Sequence, residues 1–346
     1  MKPIVVGVYG VNCGDAPSAG VAALEALGGV KGIRRVALSS SATATGNWLP
    51  DAYDASFLVP DPREGRGKPF LEALQRLRRR EGLSVLLPGE SGAVGPLADL
   101  ATKLEKEGIR VAAADPLLLP RVARGALEAT CDSAGVRWCG EAIVDAHDHT
   151  ALRECAFPCL AGPAEEGKEL HIRSEAELEA ALRQAEREGT LPWGVRVDGD
   201  RDEWSVALVA DGETVVAGAV RVLVRGDDRS AWAAMSVEAP EAVEAATELT
   251  LSLRWRGPLE VELASRNGEP PSVTRCIPRL PTWSVLAAKA GRNLPLAAVR
   301  VAIGEALARG TWTAGLLGVH TTEDFAVTRE EFAAFAAEGH RRTDKH

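Results

Sequence analysis

The chain lacks several features that would settle its class at once. No apolar stretch approaches about 18 residues, so no transmembrane helix is expected. The first ten residues, Met1 to Gly10, are too short for a secretory signal and predict a first strand. Excess positive charge is missing: 40 Lys and Arg stand against 49 Asp and Glu, a formal net charge of −9. That balance argues against nucleic acid as a partner, because phosphate backbones require clustered cations. One basic run, Arg76 to Arg80, falls on a predicted helix and reads as a solvated face. Six cysteines show no repeating spacing and no Cys-x-x-Cys pair. Reduced thiols in a cytoplasmic protein fit that usage. Cys155 and Cys159 are four apart, but no His or Cys pair completes a zinc site, so they read as small buried hydrophobes. Tyrosine is scarce, two residues against eight tryptophans. Trp193, Trp204, Trp232, Trp255 and Trp283 are expected in the core, with one or two free to anchor an interface.

What is present is a chain of 346 residues, long enough for two or three domains. Residues 1–115 alternate strand and helix patterns. Predicted strands lie at Ile4–Val8, Arg35–Ser39, Ala55–Val59, Leu83–Leu87 and Ile109–Ala114. Predicted helices lie at Ala19–Leu27, capped by Asp15, and at Phe70–Arg80 and Pro96–Lys106. This alternation implies a parallel sheet covered on both faces. Residues 116–190 are more helical, with one helix over Arg121–Ala134 and a short strand at Phe157–Ala161. A further helix begins at Ser174, with Glu177 three residues on as in a capping box. Residues 191–330 switch to a two-residue period: Trp204–Val209, a turn at Asp211-Gly212, then Thr214–Val224. A helix over Ala239–Arg254 follows, then two strands joined at Asn267-Gly268. Helices are expected at Leu296–Ala308 and Arg329–Ala337. Residues 331–346 form a helix end and a basic tail expected to be disordered from His340.

Several candidate sites weaken on inspection. Gly7-x-x-Gly10-x-x-x-Gly14 follows the first strand but misses the G-x-G-x-x-G spacing of a dinucleotide loop. Ser39-Ser40-Ser41 stands where an acidic ribose ligand would be. The open end of the parallel sheet, lined by Asn12, Cys13, Asp15 and Ser39 to Ser41, remains the place for a small ligand or a sensor function. Cys13 could be a low-pKa thiol at a helix mouth, but it has no neighbouring His and reads as a plain loop residue. Asp145, His147, Asp148 and His149 read as solvated surface rather than a metal site.

The strongest signal is a pair of strands. Gly257-Pro258-Leu259-Glu260-Val261-Glu262-Leu263 is followed by Arg275-Cys276-Ile277-Pro278-Arg279. The pair resembles the metal-binding hairpin of the ATP-grasp superfamily, whose second strand reads Glu-x-Asn-Pro-Arg. Leu86-Leu87-Pro88-Gly89, the helix after it, and Gly291-x-Asn293-Leu294-Pro295 fit the same order, so the resemblance spans roughly residues 1–300. It is similar to the carbamoyl-phosphate-synthase-like and D-alanine–D-alanine-ligase-like branches. It implies an α/β, ATP-grasp-like fold: a leading parallel-sheet domain, then two α+β lobes with an antiparallel sheet. It also implies ATP, Mg²⁺ and a ligase reaction through an acyl phosphate.

Carried over by position, the resemblance makes Glu262 a metal ligand, Glu203 a ribose or metal contact and Arg279 the catalytic, phosphate-contacting arginine. Arg124 stands in for the first phosphate lysine. Gly194 and Val195 stand at the hinge that pairs with adenine. The departures lie around the same cleft. Arg275 and Ile277 replace the second metal ligand and its amide neighbour. Gly162 replaces the second lysine, and Ala164-Glu165-Glu166-Gly167 puts acids in the phosphate loop. A lost carboxylate and an added cation disfavour Mg²⁺, and Arg275 could itself take the metal's place against Glu262. Two readings follow. One is a catalytically impaired binding or scaffolding subunit, working as a homodimer or with an active ATP-grasp partner, with a small-molecule or peptide ligand. The other is an active ATP-dependent carboxylate–amine or thiol ligase with a rebuilt site.

Overall fold

The computed structural model describes residues 2–12, 17–49, 51–139, 142–144, 157–163, 170–197, 202–226, 230–265, 268–321 and 324–342. The expectations placed on Cys13, Asp15, Cys155, Glu165, Glu166, Asn267 and the Asp145–His149 cluster lie outside the described residues.

Three sheets organise the chain. The first holds β1 (Ile4–Tyr9), β2 (Ile33–Ser39), β3 (Ala55–Leu58), β4 (Leu83–Pro88) and β5 (Arg110–Val111), all parallel, in the order 3-2-1-4-5. Its strands are almost continuously apolar because α1 (Ala19–Ala26), α2 (Lys68–Glu81) and α3 (Ser91–Lys106) leave little of it to solvent. Helix α1 starts after Ser18, whose hydroxyl accepts from the Val21 N–H at 3.3 Å, and not after the expected Asp15. Seven of its eight residues are buried, because it also packs against α8 (Ser284–Lys289) from the distant C-terminal part. The helix comes this close only because position 20 is glycine: a Cβ there would lie 2.0 Å from the Gly10 carbonyl oxygen.

The second sheet joins β6 (Ala142–Val144), β7 (Cys159–Pro163), β8 (Leu170–Ile172) and β9 (Trp193–Val197) in the antiparallel order 6-9-7-8. Helix α6 (Glu175–Glu188) covers it, with the Ser174 hydroxyl accepting from the Glu177 N–H as expected. The strand β9 of this sheet lies beyond residue 190 and ends at Val197. The stretch before the sheet belongs elsewhere. The single helix expected over Arg121–Ala134 is broken into α4 (Leu119–Val122), a 3-10 turn at Arg124–Ala126 and α5 (Leu127–Ala134). Val122, Leu127 and Cys131 pack into the core of the third sheet.

The third sheet is antiparallel: β10 (Asp202–Asp211), β11 (Val215–Arg225), β12 (Ala231–Ser236), β13 (Arg256–Ser265), β14 (Ser272–Ile277) and β15 (Leu317–Val319), in the order 14-13-10-11-12-15. Its two faces meet different neighbours. Val206, Leu208, Leu259 and Val261 face α5 and α7 (Pro240–Ser252). Ala207, Val209 and Val220 face α8, α9 (Leu294–Ile303) and the leading domain in one shared core. The leading domain and the second lobe are thus one packed body, while the first lobe has a core of its own.

The C-terminal segment corrects an expectation. After α10 (Arg329–Glu338), β16 (His340–Arg342) pairs antiparallel with β3 and becomes the edge of the first sheet. Trp48 stacks on Phe332 and meets Phe335 edge to face, and Arg342 bonds Glu81 at 3.0 Å. No helix among the described residues is long and apolar enough to cross a membrane.

Candidate functional site

The expected site residues fall in two groups, one on the third sheet and one beside the second. On the second lobe, β13 and β10 run side by side with Glu262 opposite Ser205 and Glu203 opposite Ala264. Residues two apart on a strand share a face, so Glu203, Ser205, Glu260 and Glu262 all point to the side that meets the leading domain. Arg275 is the direct cross-strand partner of Glu262 and points the same way.

The cation between the expected ligands is Arg225, at the end of β11. Its Nε donates to Glu203 Oε2 at 2.9 Å, and its Nη1 donates to Glu262 Oε1 at 2.9 Å. Two pairing irregularities, between Val222 and Val224 and between Val224 and Arg225, break the alternation of β11 just before it. Such breaks re-aim a side chain. The Glu262 side chain is 4% exposed, so its charge requires a partner, and the guanidinium supplies one. Nothing in the sequence pattern singled out Arg225, since the last residue of a polar-ended strand reads as solvated.

A second centre lies beside the first. The Glu260 carboxylate is buried. It accepts from the Ser205 hydroxyl at 2.6 Å and from Trp283 Nε1 at 3.2 Å, with Arg279 Nη1 at 3.6 Å. Arg279 also donates from Nε to the Ser91 hydroxyl at 2.9 Å and from Nη1 to the Leu280 carbonyl at 2.8 Å. Ser91 opens α3 of the leading domain, so Arg279 ties that domain to the third sheet. Glu260, Ser205, Ser91 and Arg225 were missed from sequence. The spacing of Glu260 and Glu262, two apart on a strand, was the signal that both carboxylates share one face.

In the second group, Arg124 and Gly194 come together. A Cβ at Gly194 would lie 2.6 Å from both Cζ and Nε of Arg124. The Arg124 Nη1 donates to the Pro163 carbonyl at 2.8 Å. Gly162, at the place of the missing lysine, is the direct partner of Gly194. Two facing glycines thus make a floor on which one guanidinium lies. Gly194 and Val195 are not at a free edge. Each has strand partners on both sides, Ile143 and Gly162 for one, Ala142 and Ala161 for the other. The main-chain edge expected to pair with adenine is therefore taken up by the sheet.

The residues fit Mg²⁺ poorly. Glu203 and Glu262 already bracket a guanidinium, Glu260 is engaged by Ser205, Trp283 and Arg279, and Arg275 and Ile277 offer no oxygen. Arg225 pairs with Glu203 and Glu262, and Arg279 with Glu260, without a metal. Each like-charge contact with an incoming ion would cost about 4 kcal/mol per pair of unit charges at ~4 Å and an effective dielectric of ~20. Among the described residues no group of three or more His, Cys, Asp or Glu is disposed to hold a metal. Cys159 is buried, as expected; Cys131 and Cys276 are buried as well, and burial pushes the Cys131 thiol up to about 12.

No family model matches the sequence, and no curated protein matches it significantly. Solved structures do match the fold. A biotin carboxylase–β-γ-ATP complex from Campylobacter jejuni superposes with a TM-score of 0.70 at 15% identity, over 90% of this chain and 74% of the other. An ADP complex of N5-carboxyaminoimidazole ribonucleotide synthetase gives 0.69 at 16% identity, over 92% and 81%. An L-amino acid ligase from Bacillus licheniformis gives 0.65 at 12% identity, over 88% and 75%. With its parallel leading sheet and two antiparallel lobes, this chain has the ATP-grasp fold.

Proposed function

We propose that this protein is an ATP-grasp-fold binding or scaffolding subunit that does not run the magnesium-dependent acyl-phosphate reaction implied by the resemblance. It works as a homodimer or beside an active partner of the same fold, and its ligand is a small molecule or a peptide. The observation that carries this reading is the Arg225 guanidinium at 2.9 Å from both Glu203 and Glu262, the two carboxylates expected to face metal and ribose. A guanidinium there provides charge balance but none of the Lewis acidity or phosphate bridging that phosphoryl transfer requires. Arg279 supports it from the other end, since its Nε and Nη1 are held by Ser91, Leu280 and Glu260. The role carried over to Arg279 becomes that of a domain clamp, and the metal role carried over to Glu262 becomes that of an ion-pair partner.

A thermal-shift titration tests the reading. A ligand present at 100 times its Kd stabilises by about 2.7 kcal/mol, which moves a chain of this size by several degrees. The expected result is no difference between ATP with Mg²⁺ and ATP with EDTA. A Mg²⁺-dependent shift of several degrees would overturn it and favour the active carboxylate–amine ligase.

A further inference from the structure

The basic run from Arg76 to Arg80 is more than a solvated face, because the C-terminal segment turns it into one wall of a groove. Helix α2 packs on the first sheet through Ala73 and Leu77, against Phe57 of β3. β16 then adds a wall beside it: His340 lies opposite Phe57 in the ladder, and the Leu58 N–H donates to the Gly339 carbonyl at 2.8 Å. The groove between helix and wall measures about 510 Å³. Its floor is apolar, with Phe57, Val59 and Leu77 all buried. The His340 ring lies 13° from parallel to the Phe57 ring at 6.2 Å, so flat rings are part of the lining.

Three guanidinium groups line the same groove, those of Arg76, Arg79 and Arg80. Residues three and four apart are neighbours on a helix, and like charges so placed repel. The fold explains other members of the run. Arg78 donates to the Gly82 and Leu83 carbonyls at 3.3 and 3.2 Å and so completes the end of α2. Arg80 has Glu81 at 3.2 Å. Arg76 and Arg79 make no hydrogen bond or ion pair among the described residues. Glu338 is the only acid among the described lining residues, so three cations face one carboxylate in a chain of net charge −9.

We propose that this groove binds a small aromatic molecule bearing a doubly charged anionic group such as a phosphate. Arg76 and Arg79 supply paired, charge-assisted donors to the anion. The apolar floor and the His340 ring take the flat, apolar body. The volume lies within the range of about 300–1,000 Å³ typical of small-molecule sites. An inorganic anion alone would leave the apolar floor in water. An extended peptide would pair with a free strand edge, and β16 already occupies this edge of β3. Nucleic acid requires a basic surface that continues beyond one groove, which an acidic chain does not favour. The site belongs to the leading domain and uses neither the Glu260 nor the Glu262 centre, so it goes beyond the reading above and does not rest on it.

The test uses the full chain and 1-naphthyl phosphate, titrated calorimetrically in EDTA. One site per chain is expected, with inorganic phosphate and 1-naphthol each binding about 10-fold more weakly or worse. Arg76→Ala combined with Arg79→Ala should weaken naphthyl phosphate about 10-fold or more. Both side chains are exposed, so this variant is expected to fold. Arg183→Ala combined with Arg187→Ala removes the same charge from α6 in the first lobe and should change nothing. Shifts of the Leu58 and Gly339 amide signals on adding the probe to the wild type locate the site without any substitution. No binding at millimolar probe, equal losses in the two double variants, or unshifted Leu58 and Gly339 signals would overturn the proposal. A hexaglutamate peptide that binds the groove more tightly than the probe would overturn the small-molecule class. All of these readings are taken without Mg²⁺, so they stand or fall apart from the MgATP titration.

Discussion

Two arginine–carboxylate centres lie side by side on one face of the third sheet, and they behave differently. Around Glu260 every polar group has a neighbour from a different element: Ser205 from β10, Trp283 before α8, and Arg279, which continues to Ser91 in the leading domain. At Glu262 the Arg225 guanidinium bonds two carboxylates, Glu203 and Glu262, both on the third sheet. The first centre is a joint between domains. The second is an ion-pair centre within the third sheet. Matching residue types in a motif, Glu262 and Arg279 among them, therefore carry no common role by themselves. What each one does is fixed by the groups that reach it from other parts of the chain.

The largest effect should come from breaking the joint. Arg279→Ala leaves the buried Glu260 without its countercharge and cuts the link to Ser91, a loss of about 3 kcal/mol in urea unfolding. Added Mg²⁺ should restore none of it, because Glu260 remains bonded to Ser205 and Trp283. Arg225→Ala should behave differently. It removes the shared guanidinium from Glu203 and Glu262 and costs about 2 kcal/mol in EDTA, and millimolar Mg²⁺ should recover much of that loss. Equal responses of the two variants to Mg²⁺ would erase the distinction between the centres.

Smaller effects are expected away from this face. Gly194→Ala drives a Cβ into Arg124 and should cost about 1 kcal/mol by displacing it from the Pro163 carbonyl. Urea unfolding of the single variant reads this directly. Glu81 provides a third arginine-ringed carboxylate, with Arg34 at 2.8 Å and Arg342 at 3.0 Å. Burial pushes its carboxyl up, but the hydrogen bonds from Arg34 and Arg342 prevail and hold it below the usual range. A carboxyl lowered in the folded state contributes stability above its unfolded value, about 4.3, and loses it as pH falls through the folded value. Glu81→Gln should therefore cost about 1 kcal/mol at neutral pH, with the gap to wild type closing as pH drops below about 4. A gap that stays constant down to the acid limit would remove Glu81 from the comparison.

Much of the fold was legible because periodicity is local. The apolar runs at Ile4, Ala55 and Leu83, the alternation through Trp204 and the cap at Ser174 all appear where expected. The errors fall where distant contacts decide. Residues 340–342 look like a loose basic tail until β3 offers an edge and Glu81 a counterion. Arg121 to Ala134 reads as one helix, yet the chain breaks at Ala123 so that Arg124 can turn to Gly194 while Leu127 and Cys131 enter the third sheet's core. The site was half legible. A glutamate on one strand and an arginine on the next pointed to the face that Glu262 and Arg275 share. Arg225 stayed hidden because its aim depends on two breaks in strand pairing that leave no mark in residue type.

The central claim is that a guanidinium holds the place of the metal. Isothermal titration of MgATP into the wild type and into Arg225→Ala, each repeated in EDTA, tests it most directly. The account predicts no Mg²⁺-dependent binding in the wild type and a Mg²⁺-dependent component that appears only when Arg225 is removed. Mg²⁺-dependent binding by the wild type, undiminished relative to the variant, would contradict it.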